Sequence, residues 1–233
     1  MAIPVSRIRL ITFDLDDTLW DSRPILVAAE LRLHDWLSHH YPRLTRHYSV
    51  EDLRRQRQEL AAGRPDLRYH MTALRKESLR LAAASVGYGE ELVEPAFACF
   101  LEARHAIDPY PDVAPALERL RVAGLLIGAL TNGNADVRRL TIGPLFHFSL
   151  SAEDVGVAKP HPRIFLEACR RAGVERSAML HVGDEPDTDL AGAQAAGVNV
   201  VWMNRGQHST VPGRPYQEEV GGMYELLKLL SLE

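Results

Sequence analysis

The chain has only two cysteines, no long apolar run and no excess of positive charge. Cys99 and Cys169 sit in apolar helical patterns without CxxC or Cys/His spacing, which argues against a disulfide framework or a zinc site and predicts buried free thiols. No stretch approaches the roughly 20 apolar residues of a membrane span. The opening Met-Ala-Ile-Pro-Val-Ser-Arg leads directly into a strand pattern rather than a signal peptide, so a cytoplasmic location is expected. Lys and Arg number 27 against 31 Asp and Glu, for a formal net charge of -4. The basic residues are scattered along helical patterns as solvated faces, so neither nucleic acid nor a membrane is an expected partner. Walker-type loops, nucleophile elbows and dinucleotide fingerprints are missing as well.

What is present is an ordinary globular composition, 46% hydrophobic and 25% charged over 233 residues, enough for a sizeable core. Ile8 to Phe13 is a short apolar, β-branched run that reads as a buried strand ending on acidic residues. From Pro24 to Ala106 the texture changes to helix formers, with apolar residues at helical spacing in Ile25–Leu37, Leu53–Leu60, Met71–Val86 and Glu90–Ala106. Polar, Pro-rich segments bracket this stretch, Asp21-Ser22-Arg23-Pro24 before it and Ile107 to Asp112 after it, as hinges between domains would. Beyond Val113, strands and helices alternate. A helix is expected between the strand ending at Leu130 and a short one around Phe148–Leu150, and further strands over Ala178–Val182 and Val198–Trp202. That alternation predicts an α/β protein with a parallel sheet. Residues 1–21 and 109–233 would form it, with a helical insert over 22–108.

Ligands of open parallel sheets bind beyond the carboxyl ends of the strands, and those positions hold a consistent set of groups. The first strand leads into Asp14-Leu15-Asp16-Asp17-Thr18, the second into Thr131-Asn132-Gly133, and the Ala178–Val182 strand into Gly183-Asp184 and on to Asp189. Asp14 and Asp16, two residues apart, leave a strand on the same side and share one target. A divalent cation would quiet Asp14 enough for an anionic phosphate to approach it as a nucleophile, while Asp16 serves as acid and then base. Asp184 is the expected direct ligand of Mg2+, with Asp189 behind it or holding Lys159. Thr131, Asn132 and Gly133 offer hydroxyl, amide and close backbone to phosphoryl oxygens, and Lys159 offsets charge. Each motif alone also suits a solvated turn, a helix cap or an exposed lysine; their combination points to phosphoryl transfer.

With these motifs in order, Phe13 to Thr18, Leu130 to Gly133, Lys159-Pro160 and Gly183 to Asp189, the chain resembles the haloacid dehalogenase superfamily, in the branch with a helical insert after the first motif. The resemblance implies a Rossmann-like core with an inserted four-helix-bundle cap. It also implies magnesium held by the Asp14 carboxylate, the Asp16 backbone carbonyl and Asp184, with Thr131 binding the phosphoryl group and Lys159 balancing charge. The namesake dehalogenases lack an acid two residues after the nucleophile, where this chain has Asp16, so a phosphatase is favoured over a dehalogenase. A mutase, a 5'-nucleotidase or sugar-phosphate phosphatase, and a non-catalytic binding module are the other readings.

Several stretches are most similar to bacterial phosphatases acting on flavin mononucleotide (FMN) and on the phosphorylated pyrimidine precursor of riboflavin. A small phosphorylated metabolite is therefore the expected partner. Trp20 and Arg23 at the hinge, with Tyr69, His70 and Arg75 in the insert, are candidates to stack on or bond a flat heterocycle. The same residues also suit a cap core or a solvated helix face. His181, beside a strand end, reads as a satisfied core group or as a support behind the site rather than a ligand, and monomer and homodimer both fit.

Overall fold

A computed structural model describes residues 3–67, 70–206 and 218–232. Tyr69, and most of the Gly- and Pro-rich stretch after residue 205, lie outside the described residues. The chain divides into two compact units, one of Met1–Asp21 with Asp108–Glu233 and one of Ser22–Ile107.

Strand β1 (Leu10–Phe13) is buried at every position, as expected of a short apolar run in mid-sheet. The chain then enters the helical unit, with α1 (Ser22–His40), α2 (Pro42–His47), α3 (Val50–Gly63), α4 (Met71–Ser85) and α5 (Val93–Arg104). Its core gathers Leu33 and Leu37 from α1, Leu53 from α3, Leu79 from α4 and Phe97 and Phe100 from α5. A capping box starts α3, where Ser49 and Asp52 satisfy each other's backbone N–H groups. Glu30 is buried in α1 and ion-paired to Arg54, Arg57 and Arg75. Burial opposes its charge, but the hydrogen bond from Arg54 and the charges of Arg57 and Arg75 outweigh that and hold its carboxyl below the usual range.

Back in the first unit come α6 (Val113–Val122), β2 (Leu126–Thr131), β3 (Phe148–Ser151), α7 (Ala152–Val155), α8 (Arg163–Ala172), β4 (Met179–Gly183), α9 (Ala191–Ala196), β5 (Asn199–Met203), β6 (Glu218–Val220) and α10 (Met223–Leu229). The described strands form one parallel sheet in the order β3-β2-β1-β4-β5-β6. This is the parallel α/β sheet expected from the alternation, in the Rossmann-like form that the resemblance implies. Its strand order runs outward from β1 to β3 and resumes on the other side at β4. The crevice between the β1 and β4 ends is thus a topological switch point. Phe13 is paired with Val182 on one side and Ala129 on the other, so the residues leaving β1, β2 and β4 emerge at one edge.

Three local elements differ from the sequence expectation. Between β2 and β3 the expected helix is replaced by two short 3₁₀ turns, Val137–Arg139 and Gly143–Leu145. Asp136 caps the first through the Arg138 N–H, and Gly143-Pro144 occupies the second, a pair poorly suited to a continuing helix. Between β4 and β5, where the alternation calls for a helix, the chain first makes a wide π-type turn, Pro186–Leu190, and α9 begins only at Ala191. The edge strand β6, Glu-Glu-Val, carries no strand signature and exists because it pairs with β5. No helix among the described residues is long and apolar enough to cross a membrane.

Candidate active site

At the switch point, the chain after β1 folds back tightly on itself. The Asp14 N–H donates to Val182 O at 2.9 Å, extending the β1–β4 ladder by one residue and placing Asp14 beside Gly183. Asp17 has a left-handed φ of 64°. Its N–H reaches Trp20 O at 2.8 Å, and Leu19 N–H reaches Leu15 O at 2.9 Å. This turn brings the Trp20 indole N–H to 2.8 Å from Asp16 Oδ1. Trp20 is itself fully buried, so it holds the Asp16 carboxyl from behind. The other oxygen, Oδ2, faces Gly133, where a Cβ would lie only 3.1 Å away. Gly133 thus lets the β2 loop approach the acid.

Lys159 is the charge centre of the site. Only 2% exposed, it directs its three N–H donors to Asp14 Oδ1, to Leu130 O at 2.9 Å and to Asp189 Oδ1 at 2.7 Å. Its backbone is fixed by Asn132, whose Oδ1 accepts from Lys159 N–H at 2.8 Å and whose Nδ2 donates to Lys159 O at 3.0 Å. Asn132 therefore clamps the Lys159 loop to the end of β2. Thr131 is buried, and its Oγ1 accepts from the Gly133 N–H at 2.9 Å.

Asp184 follows β4, with Oδ1 accepting from Thr18 Oγ1 at 2.9 Å and its carbonyl accepting from the Trp202 indole N–H at 2.7 Å. Arg205 supports this corner by donating to Thr18 O at 3.0 Å while paired to Asp112. Asp189 Oδ2 accepts from the Glu185 N–H at 3.1 Å, and its Oδ1 also takes His181 Nε2 at 3.0 Å. The Thr18, Trp202, Arg205 and Asp112 contacts span long sequence separations, and nothing local in the sequence flagged them. Together the loops line a cavity of about 210 Å³.

The electrostatics follow from burial and crowding. Burial pushes Asp14 well up from the carboxylate range, Lys159 pulls against that rise, and the charges of Asp189 and Asp184 add to it. Burial and then Asp189 raise Asp184 to about 7. Burial alone would raise Asp189 too, but Lys159 and His181 hold it well below its ordinary value. Lys159 is kept charged against burial by Asp14 and Asp189. With all three carboxyls ionised, they would face one ammonium with an excess of two negative charges, and the upward shifts of Asp14 and Asp184 express that crowding.

The structure therefore gathers Asp14, Asp16, Thr131, Asn132, Gly133, Lys159, Asp184 and Asp189 around one cavity. The candidates Arg23, His70 and Arg75 belong to the other unit. Arg23 is exposed on α1, and His70 is half-buried just before α4. Arg75 is buried with its guanidinium 3.4 Å over the Phe100 ring, and burial followed by the nearby Arg57 lowers its pKa to about 9.

The pattern of the haloacid dehalogenase-like hydrolases matches residues 8–197. The chain belongs to this family. It is 33% identical to the 5-amino-6-(5-phospho-D-ribitylamino)uracil phosphatase YigB of Escherichia coli K12, covering 86% of this chain and 85% of that protein. It is 34% identical to the glyceraldehyde 3-phosphate phosphatase of Methanopyrus kandleri over 89% and 88% of the two chains. Among solved structures, the 2-haloacid dehalogenase of Pseudomonas syringae pv. tomato DC3000 superposes with a TM-score of 0.89 at 42% identity, over 96% of this chain and 98% of the other.

Proposed function

We propose that this hydrolase cleaves phosphomonoesters through a phospho-aspartyl intermediate on Asp14. The observation that carries the reading is Asp16. Its carboxyl lines the Asp14 cavity, with one oxygen held by the Trp20 indole. A leaving alcohol needs a proton as its bond to phosphorus breaks, whereas a halide leaves without one. An acid held beside the nucleophile therefore supports ester hydrolysis over dehalogenation. The similarity to two named phosphatases supports the same choice, while the 2-haloacid dehalogenase relative makes that chemistry the rival to test.

In this reading the Asp14 carboxylate attacks phosphorus, the ester P–O bond breaks, and Asp16 gives its proton to the departing alcohol. Asp16, now a carboxylate, takes a proton from the water that attacks the phospho-aspartate. Inorganic phosphate leaves and both carboxyl groups are regenerated. The Thr131 hydroxyl, held by the Gly133 N–H, is proposed to donate to the phosphoryl oxygens, Gly133 to let them approach closely, and Lys159 to balance their charge.

The residues also fit magnesium. Asp14, Asp184 and Asp189 each offer an oxygen, all within 4.8 Å of one another, and these hard donors suit a cation of this kind. Both oxygens of Asp189 are already committed, whereas Asp14 and Asp184 each keep Oδ2 without a hydrogen bond among the described residues. Asp14, Asp184 and the Asp16 carbonyl are thus the proposed ligands, and a divalent charge would match the excess of two. Bound magnesium would neutralise charge between nucleophile and phosphoryl group. EDTA treatment should reduce p-nitrophenyl phosphate hydrolysis to background, and magnesium should restore it. Turnover that persists after exhaustive chelation, together with chloride release from 2-chloropropionate, would reassign the reaction to dehalogenation.

The substrate is proposed to be a ribityl phosphate, either the riboflavin-precursor phosphate, on the strength of the YigB similarity, or FMN, which carries the same ribityl phosphate, so that the leaving alcohol is the free ribityl compound. A panel of phosphorylated metabolites ranked by kcat/KM tests this. These two should lead glyceraldehyde 3-phosphate, nucleotides and sugar phosphates by about tenfold or more, a difference on the order of 1.4 kcal/mol in transition-state binding. A panel led by glyceraldehyde 3-phosphate would move the assignment to the other relative's substrate.

Trp20 supplies a separate prediction. Trp20→Phe keeps an aromatic ring but removes the N–H that holds Asp16, so kcat should fall about tenfold with KM within about twofold of wild type. Steady-state kinetics with p-nitrophenyl phosphate read this directly. An unchanged kcat would mean that the indole does not orient the acid.

A further inference from the structure

The polar chain that ends at Asp14 begins deeper in the sheet than the cavity. His181 is fully buried in β4, in register with Thr12 of β1. Its Nδ1 lies 2.9 Å from Thr12 Oγ1, and its Nε2 lies 3.0 Å from Asp189 Oδ1. Phe165 packs edge-on against the ring, with centroids 5.0 Å apart, and fixes its plane.

The protonation pattern follows from the partners. Asp189 is ionised beside Lys159 and can only accept, so Nε2 carries the hydrogen. Burial lowers the pKa of the ring against the pull of Asp189, and with the hydrogen on Nε2 the neutral ring offers Nδ1 as an acceptor for the Thr12 hydroxyl at 2.9 Å. The result is a directed chain, with Thr12 donating to His181, His181 to Asp189, and Lys159 to both Asp189 and Asp14.

Why Asp189 needs a holder is visible in its setting. It sits in the wide Pro186–Leu190 turn rather than a regular helix. Its carboxyl is pressed against Gly183, where a Cβ would lie 2.3 Å from Asp189 Cγ. Lys159 is a flexible stem with a freely turning ammonium, and its aim depends on rigid acceptors.

We propose that His181 is a positioning residue for phosphoryl transfer, its Nε2–H fixing Asp189 Oδ1 so that this carboxylate holds Lys159 against Asp14. The kinetic consequence rests on the phosphatase reading above; the hydrogen-bond assignment does not. His181 touches no substrate, so its contribution belongs to kcat rather than KM.

Two amide substitutions separate this role from simple core filling. In His181→Gln the side-chain amide reaches the place of Nε2 and can still donate to Asp189. In His181→Asn it reaches only the place of Nδ1, near Thr12. With p-nitrophenyl phosphate, His181→Gln should keep kcat within about threefold of wild type, and His181→Asn should lose about 10- to 100-fold in kcat with KM within about twofold. Equal losses in the two variants, or a change confined to KM, would overturn the proposal.

A second measurement needs neither a variant nor a substrate. Long-range 1H–15N correlation spectra of the full-length wild-type protein should show His181 protonated at Nε2 and bare at Nδ1. A proton on Nδ1 would overturn the chain regardless of the kinetics. A wild-type protein that cleaves no phosphate ester would refute the proposed function, and the tautomer would still decide the placement of His181.

Discussion

Asp14→Asn is expected to abolish phosphomonoester hydrolysis, with kcat falling by at least about 10³-fold, because the amide oxygen cannot form the covalent intermediate. The change is nearly isosteric, and it relieves the crowding of carboxyl groups around Lys159. Burial and the neighbouring Asp189 and Asp184 already push Asp14 toward its neutral form, so an uncharged amide should be accepted without loss of fold. The variant should therefore unfold at the same midpoint as wild type or higher while remaining inactive. Steady-state kinetics, thermal melts and a phosphoprotein assay after acid quench check the three parts. Wild-type protein trapped during turnover should carry acid-stable label, and Asp14→Asn should carry none. Substantial turnover by the variant would exclude Asp14 as the nucleophile and leave a direct attack by water.

Replacing the cation tests the opposite side of the same balance. Lys159→Met keeps much of the stem volume but leaves Asp14 and Asp189 buried without their ammonium. Loss of one partner from a buried ion pair costs about 3 to 5 kcal/mol, largely because the remaining charge is stranded away from water. Chemical denaturation should show a loss of this size, and activity should fall to background at the same time. Restoring only the charge with Lys159→Arg should not rescue activity. A planar fork cannot reproduce three diverging bonds to Asp14, Leu130 O and Asp189 in a site that leaves Lys159 2% exposed. A stable and active Lys159→Met would show that the ammonium is dispensable and that the carboxylates are shielded by other means.

Asp14, Thr131 and Asp184 stood out because each follows a strand pattern, and Lys159 because it precedes a helix, and those are local features that hydrophobic periodicity detects. Asp16 stood out only through its spacing from Asp14. What held Asp16 was not visible. Trp20 looked like a ring for a ligand, but the tight turn at Asp17 converts it into a hydrogen-bond donor to the acid. Asn132 likewise suggested a phosphate contact, while its amide is engaged with the backbone of Lys159.

The elements show the same division. β1 was legible because an apolar run of that kind has few other uses. β6 was not, since Glu-Glu-Val is a strand only by virtue of the edge it pairs with. The helix expected between β2 and β3 failed for a local reason, because Gly143-Pro144 and the Asp136 cap favour short turns over a continuous ladder.

By itself, the sequence determined the fold class and the family, because alternating apolar patterns and strand-end motifs are encoded within short windows. It determined the inventory of charges as well. Tertiary structure alone decided which groups share them. The strand order placed β1 beside β4, so Asp14 and Asp184 meet although 170 residues separate them. It also placed Thr12 beside His181, and Lys159 among three acceptors from three segments. Hydrogen bonds of this kind are set by where distant strands end, and no local period carries that information.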